Sequence, residues 1–308
     1  HTRHTYRMGD RQMAIVKELP SFSGKRKWKF DKFVIFDSVE DLAAYADALP
    51  EASRGYPKSS WTGGQSYDES LAYCRKGDLS RVAPSDKYMR QFEDLIGYES
   101  RAFRTIADVA GGMPNVPAYL TGQPLAMRRR ARVQSEQAPL AIVVDLASSG
   151  GIEAKHLERR GAAVLAIVRL LSAIRPISLH AVVAALPMGL GYEETHEYGA
   201  SCTAIRIETA PLDLARAAHV LGAVSTARQI CYSVVTHSVG MALSEGCSLA
   251  WAYNDVNKYR ACGAELWKQA LQLDDILFLA PAFIDDPAID NPERFVRDML
   301  AKYGRAAD

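Results

Sequence analysis

The chain has 308 residues, enough for one large domain or two modest ones, and its 48% apolar share is ordinary for a protein with a buried core. No run approaches the ~20 apolar residues of a membrane-spanning helix. The net charge of +1 excludes a polycation overall, yet the charge is uneven: residues 1–33 carry nine Lys and Arg against three acids, whereas 274–308 carry eight acids against four cations. Such asymmetry points to a basic arm with an anionic partner. Five cysteines (Cys74, Cys202, Cys231, Cys247, Cys262) form no Cys-x-x-Cys pair, which predicts a reducing compartment. The first residues are basic and polar without the apolar stretch of a secretory leader, so a cytoplasmic location is expected.

Taken in chain order, 32–36 reads as a strand. Ser38 then caps a helix running through Leu49, with Glu40 and Asp41 in its first turn. A Pro/Gly/Ser loop covers 50–60. Ser66 caps a second helix over 66–76, with Glu69 completing a capping box and Gly77 ending it. A third helix is predicted over 85–96. Residues 111–124, rich in Gly and Pro, read as a structured loop.

The pattern then changes. The apolar run 140–144 predicts a strand covered on both faces. A long helix over 154–174 carries Leu157, Gly161, Val164, Leu165, Val168 and Leu171 on one side, and Pro176 stops it. Strands are predicted over 177–186 and 201–208, helices over 212–222 and 225–237, a strand over 275–280, and a closing helix over 292–303 with Pro292 in its first turn. Alternating strands and helices define an α/β fold. The expectation is a three-layer sheet with helices on both faces and a von Willebrand A- or Rossmann-like core over 138–308. A basic, mixed helical and loop-rich N-terminal region over 1–137 would pack on it.

Catalytic templates are broken. Gly189-Leu-Gly191-Tyr-Glu-Glu194 has an acid where a dinucleotide fingerprint needs its third glycine. His196-Glu197 begins a zinc-protease motif, but position 200 is Ala. A phosphate loop and a serine elbow are missing. Neither an enzyme nor a cofactor, metal or small-molecule substrate is expected. Asp145-Leu-Ala-Ser148-Ser149 follows the first buried strand and resembles the Asp-x-Ser-x-Ser cation motif of von Willebrand factor A domains, with Ala147 in place of the middle serine. An alternative function follows from it, a von Willebrand A-like protein-interaction module with a degenerate metal site.

Two basic clusters remain. Lys25-Arg26-Lys27-Trp28-Lys29-Phe30 interleaves cations with aromatics, and Arg128-Arg129-Arg130-Ala-Arg132 precedes the first buried strand. Cations neutralise phosphates, and exposed aromatics stack on unpaired bases. Strand alternation instead puts Trp28 and Phe30 on one side, as core, and Lys25, Lys27 and Lys29 on the other. Four arginines in five residues cannot all be buried, since few partners could pair them.

The tracts Trp61-Thr-Gly-Gly-Gln-Ser66-Tyr-Asp-Glu-Ser-Leu71 and Asp108-Val-Ala-Gly111-Gly-Met-Pro114-Asn-Val116-Pro-Ala-Tyr119-Leu-Thr-Gly122-Gln-Pro124-Leu-Ala-Met127 resemble paired motifs of a family of uncharacterised bacteriophage proteins. Arg160-Gly-Ala-Ala-Val-Leu-Ala166 resembles the helix that follows them. The chain also resembles, more distantly, a phage single-stranded-DNA-binding cofactor of a phage RNA polymerase. That resemblance implies an accessory protein in the host cell cytoplasm that binds single-stranded DNA and assists a phage RNA polymerase or replication complex. It maps no binding residue onto this chain, and the expected contacts, Lys25, Arg26, Lys27, Lys29, Arg128, Arg129, Arg130 and Arg132, come from the two basic clusters.

Overall fold

The computed structural model describes residues 3–8, 11–17, 22–23, 27–96, 103–110, 112–132, 138–148, 151–185, 198–239, 256–283 and 286–304. Strand β1 (Arg3–Met8) forms an antiparallel hairpin with β2 (Arg11–Lys17), and β3 (Phe22–Ser23) pairs with β4 (Lys27–Phe36). Three helices follow: α1 (Val39–Asp47), α2 (Tyr67–Lys76) and α3 (Ala83–Ile96). Ser38 caps α1 by accepting from Asp41 N–H, and Ser66 and Glu69 close the capping box of α2.

A small unit comes next. Its elements are β5 (Phe103–Asp108), β6 (Met113–Pro114), the short helix α4 (Val116–Leu120) and β7 (Met127–Arg132). The remainder is β8 (Leu140–Asp145), α5 (Ala154–Ser172), β9 (Ile177–Ala185), β10 (Tyr198–Ile207), α6 (Leu214–Gly222), a π-helical turn over Thr226–Cys231, α7 (Tyr232–Val239), α8 (Val256–Leu271), β11 (Ile276–Leu279), α9 (Pro287–Asp290) and α10 (Pro292–Tyr303).

The fold is mixed α/β. The main sheet runs β1-β2-β4-β10-β9-β8-β11, and a separate three-stranded sheet runs β5-β7-β6. At the centre, β8 is parallel to β9 and to β11, β9 is antiparallel to β10, and β10 is parallel to β4. The sheet is therefore mixed, with its direction reversing between β9 and β10.

Alternation divides the side chains between two faces. Val34, Phe36, Leu140, Ile142, Val144, Leu179, Ala181, Val183, Ile205 and Ile207 join one apolar core with residues of α1, α2, α3, α5, α6 and α10. On the other face Phe33 meets Trp267 of α8 edge-on at 5.3 Å between ring centroids, and both are fully buried. A Cβ on Gly263 would lie 2.4 Å from Phe278, so α8 approaches β11 closely. Residues on both sides of the 137/138 boundary share the main core: Leu42, Leu71 and Phe92 pack in it with Leu165. The N-terminal region thus contributes a strand inside the sheet and three of the covering helices, because β10 returns to pair with β4.

Candidate functional site

Arginine at alternate positions of β7 would be an odd choice for a buried strand, and Arg128 and Arg129 of β7 are exposed. It lies between β5 and β6, and its register pairs Arg132 with Phe103, Arg130 with Thr105 and Arg128 with both Ala107 and Met113. Arg128, Arg130 and Arg132 therefore occupy one face, spaced by two residues or ~6.6 Å. Thr105, Ala107, Met113 and Arg128 on that face are exposed. The opposite face carries Ile106, Asp108, Met127 and Arg129; the first three are half-buried, and Arg129 pairs with the Asp108 carboxylate. That pairing holds the Asp108 carboxyl below the usual range. Beyond the sheet, α4 presents Val116, Tyr119 and Leu120 to solvent, with Tyr119 72% exposed.

The other expected cluster divides. Lys25 and Arg26 lie outside the described residues. Lys27 and Lys29 fall in β4, which starts at the sheet end where β8 finishes, given the parallel and antiparallel pairings between them. Arg132, by contrast, shortly precedes Leu140 at the start of β8. The backbone thus brings the arginines together on β7, and no strand pairing joins β7 to β4, which carries Lys27 and Lys29.

The end of β8 is densely bonded. Asp145, fully buried, accepts from Ala147 N–H at 2.9 Å with Oδ1. Arg160 of α5 reaches across to donate from Nε to Asp286 at 2.9 Å, from Nη1 to the Asp145 carbonyl at 3.3 Å and from Nη2 to the Ala280 carbonyl at 2.5 Å. Ser148 Oγ accepts from Arg228 Nη2 at 2.9 Å. Ser149 lies outside the described residues. Two members of the expected cation motif are therefore engaged by a backbone amide and a guanidinium. Among the described residues no group of three metal-ligating side chains clusters anywhere.

Arg228 was not singled out by sequence, having no motif around it. It sits on the π-helical turn, a device that often marks functional positions. It is 3% exposed, donates from Nη1 to the Trp61 carbonyl at 2.8 Å and stacks at 4.7 Å over the Trp61 ring. Next to it, Gln229 Nε2 donates to the carbonyls of Tyr56 and Gln65 at 2.9 and 3.1 Å, while its Oε1 accepts from Tyr56 N–H at 2.7 Å. The turn that delivers Trp61 continues through Gly63 and Gly64 at φ of 67° and 70°, the left-handed region that favours glycine.

These placements give the three sequence tracts 61–71, 108–127 and 160–166 a structural setting. The first wraps Arg228 and caps α2, the second spans β5's last residue through α4 to the start of β7, and the third is the α5 segment led by Arg160. Among the described residues no helix is long and apolar enough to cross a membrane. No curated protein and no solved structure matches the chain. Over residues 29–306, a span holding the β5-β7-β6 unit, the end of β8 and every helix described above, the chain belongs to the family described as a domain of unknown function (DUF7192).

Proposed function

We propose that this protein is a phage accessory protein of the host cytoplasm, without catalytic activity, that binds single-stranded DNA and assists a phage RNA polymerase or replication complex. The observation that carries the reading is the register that places Arg128, Arg130 and Arg132 on one face of β7, beside exposed Thr105 and Ala107. Its ~6.6 Å repeat is comparable with the separation of successive phosphates along one extended strand. Arginine both forks onto phosphate and stacks on bases, and exposed Tyr119 offers a second stacking surface. A three-stranded face that carries cations at alternate positions can track the backbone of a flexible single strand. Lys25, Arg26, Lys27 and Lys29 would supply further phosphate contacts. The β8-α5-β9 crossover supports kinship with von Willebrand A or Rossmann folds, and the antiparallel β9–β10 step counts against it.

Fluorescence anisotropy with labelled single strands, competed by unlabelled duplex, tests the proposal. Each phosphate contact adds about −0.7 to the slope of log affinity against log salt. Replacing Arg128, Arg129, Arg130 and Arg132 by Ala should flatten that slope and weaken binding of all sequences alike. Absence of binding at low salt, or a quadruple variant with unchanged affinity and slope, would sink it.

A further inference from the structure

A cleft of about 480 Å³ opens beside the end of β8, lined by Ser60, Trp61, Gly151, Ala154, Lys155 and Arg228 together with Ile152 and Glu153. Its volume falls within the range of small-molecule sites. Its position, beyond the carboxyl end of a strand in a parallel β8-β9-β11 group, is where α/β sheets hold ligands. No β7 residue lines the cleft.

The donors around it differ in kind but share a sign. Arg228 is held rigid by the Trp61 carbonyl, by Ser148 and by the Trp61 ring, so its planar fork is fixed before any ligand arrives. Lys155, exposed, pairs with Glu153 at 2.7 Å, so the lining holds two cations against one carboxylate. The first turn of α5 forms one wall. Glu153 stands at its N-cap without a side-chain capping bond; its carbonyl takes the His156 N–H at 3.0 Å, and the Ala154 and Lys155 amides begin the 19-residue helix at the cleft wall. Gly151 has open space where a side chain would extend. Burial of Arg228 also weakens its hold on its proton, a cost that an adjacent anion relieves.

We infer that this cleft binds a phosphate-bearing small molecule, its phosphate between Arg228, Lys155 and the α5 N-terminus and its body along Trp61. The single guanidinium gives directional bonds, the ammonium a movable charge, and the helix end a set of parallel donors; a phosphate, with three acceptor oxygens, uses all of them, whereas a carboxylate has only two. On binding, Lys155 exchanges its Glu153 partner for the phosphate.

Calorimetric titration of the full chain with inorganic pyrophosphate, with adenosine 5′-monophosphate and with adenosine tests the inference. Both phosphates should bind saturably and adenosine should not. Lys155→Glu changes an exposed residue and Gly151→Glu fills open space, so both variants should keep the wild-type melting temperature. Each should weaken pyrophosphate binding by about tenfold or more through charge repulsion. Arg128→Glu, at an exposed β7 residue that does not line the cleft, should leave that affinity unchanged. Three results would each overturn the inference: no saturable phosphate binding, affinity untouched by both cleft variants, or affinity lost in Arg128→Glu. Equal binding of adenosine would overturn the phosphate assignment as well. None of these results bears on single-stranded DNA binding by β7.

Discussion

Arg160 and Asp286 form an ion pair, Nε to Oδ2 at 2.9 Å, with both side chains almost wholly buried. The pair links α5 to the start of α9, and the remaining guanidinium nitrogens tie the ends of β8 and β11 to the same point. Asp286 also caps α9 by accepting from Ala288 N–H at 2.8 Å. Removing the charge while keeping the cap separates these roles. Asp286→Asn should cost about 3 kcal/mol, because it leaves a buried guanidinium without its counter-ion. Replacing both residues, as Arg160→Met with Asp286→Asn, should cost less than the sum of the single changes. Urea unfolding of the two single variants and the double variant checks this; additive losses would show that the pair is not coupled.

The two glycines at the α5–α6 crossing should differ sharply. A Cβ on Gly161 would stand 2.5 Å from the Gly222 Cα and 2.6 Å from the Leu221 carbonyl oxygen. On Gly222 its nearest neighbours are Glu158 atoms at 3.9 Å, an ordinary contact. Gly161→Ala should therefore destabilise by about 1–3 kcal/mol through overpacking of backbone against backbone. Gly222→Ala should be near neutral or stabilising, as it lies in a helix without a positive φ. Thermal unfolding of both variants would decide, and equal effects would contradict the asymmetry.

Acid should destabilise the protein through two histidines. His219 is fully buried against Tyr73, at 5.3 Å between rings, and neither ring nitrogen makes a well-formed hydrogen bond. Burial, helped by nearby Arg81 and opposed by Asp78 and the Ser70 backbone, lowers its pKa to about 3. Burial and Arg206 on the neighbouring strand lower His180 to about 4. In the unfolded chain both titrate near 6.5, so between about 4 and 6.5 the unfolded state binds more protons and stability falls with falling pH. Each group contributes up to about 1.4 kcal/mol per pH unit in that window. His219→Leu should flatten the decline between pH 6.5 and 4.5 in urea unfolding; an unchanged slope would remove His219 as its source.

On β7, neighbouring arginines should not be equivalent. Arg128 stands on the open face, and Arg129 faces the other way and is paired with Asp108. Arg128→Ala should reduce the salt slope of single-strand binding by about 0.7, whereas Arg129→Ala should change it little. Equal reductions from both would show that strand alternation does not govern contact.

Helix caps and buried strands were the most legible parts of the sequence. Ser38, Ser66 with Glu69, Gly77 and Pro292 mark ends that the fold keeps, since each cap is satisfied locally. The runs at 140–144 and 177–186 became β8 and β9 because apolar strand length and flanking turns agree. Less was legible where distant partners decide. Residues 128–132 have no strand pattern of their own, and pairing with β5 and β6 makes them one. The Gly/Pro-rich stretch at 111–124 hid both β6 and α4. Arg228 carries no motif around it; its burial comes from Trp61 and Ser148, far away in sequence. Asp145 and Ser148 were legible as a strand-end pair, but the guanidinium that takes Ser148 was not.

The insertion of β10 between β4 and β9 has a consequence for synthesis. The segment Lys27–Phe36 leaves the ribosome long before its neighbour Tyr198–Ile207 exists, from residue 36 to residue 198. At ~5–20 residues per second, that interval lasts roughly 8–30 s. Throughout it one long edge of β4, rich in Phe, Val and Ile, has only β2 and β3 beside it and a row of unmatched amides and carbonyls on the other side. The nascent chain therefore spends its vulnerable period with an adhesive ribbon on display. The three lysines within β4, Lys27, Lys29 and Lys32, provide charge repulsion between copies on a polysome, a gatekeeping duty separate from anything the finished protein binds.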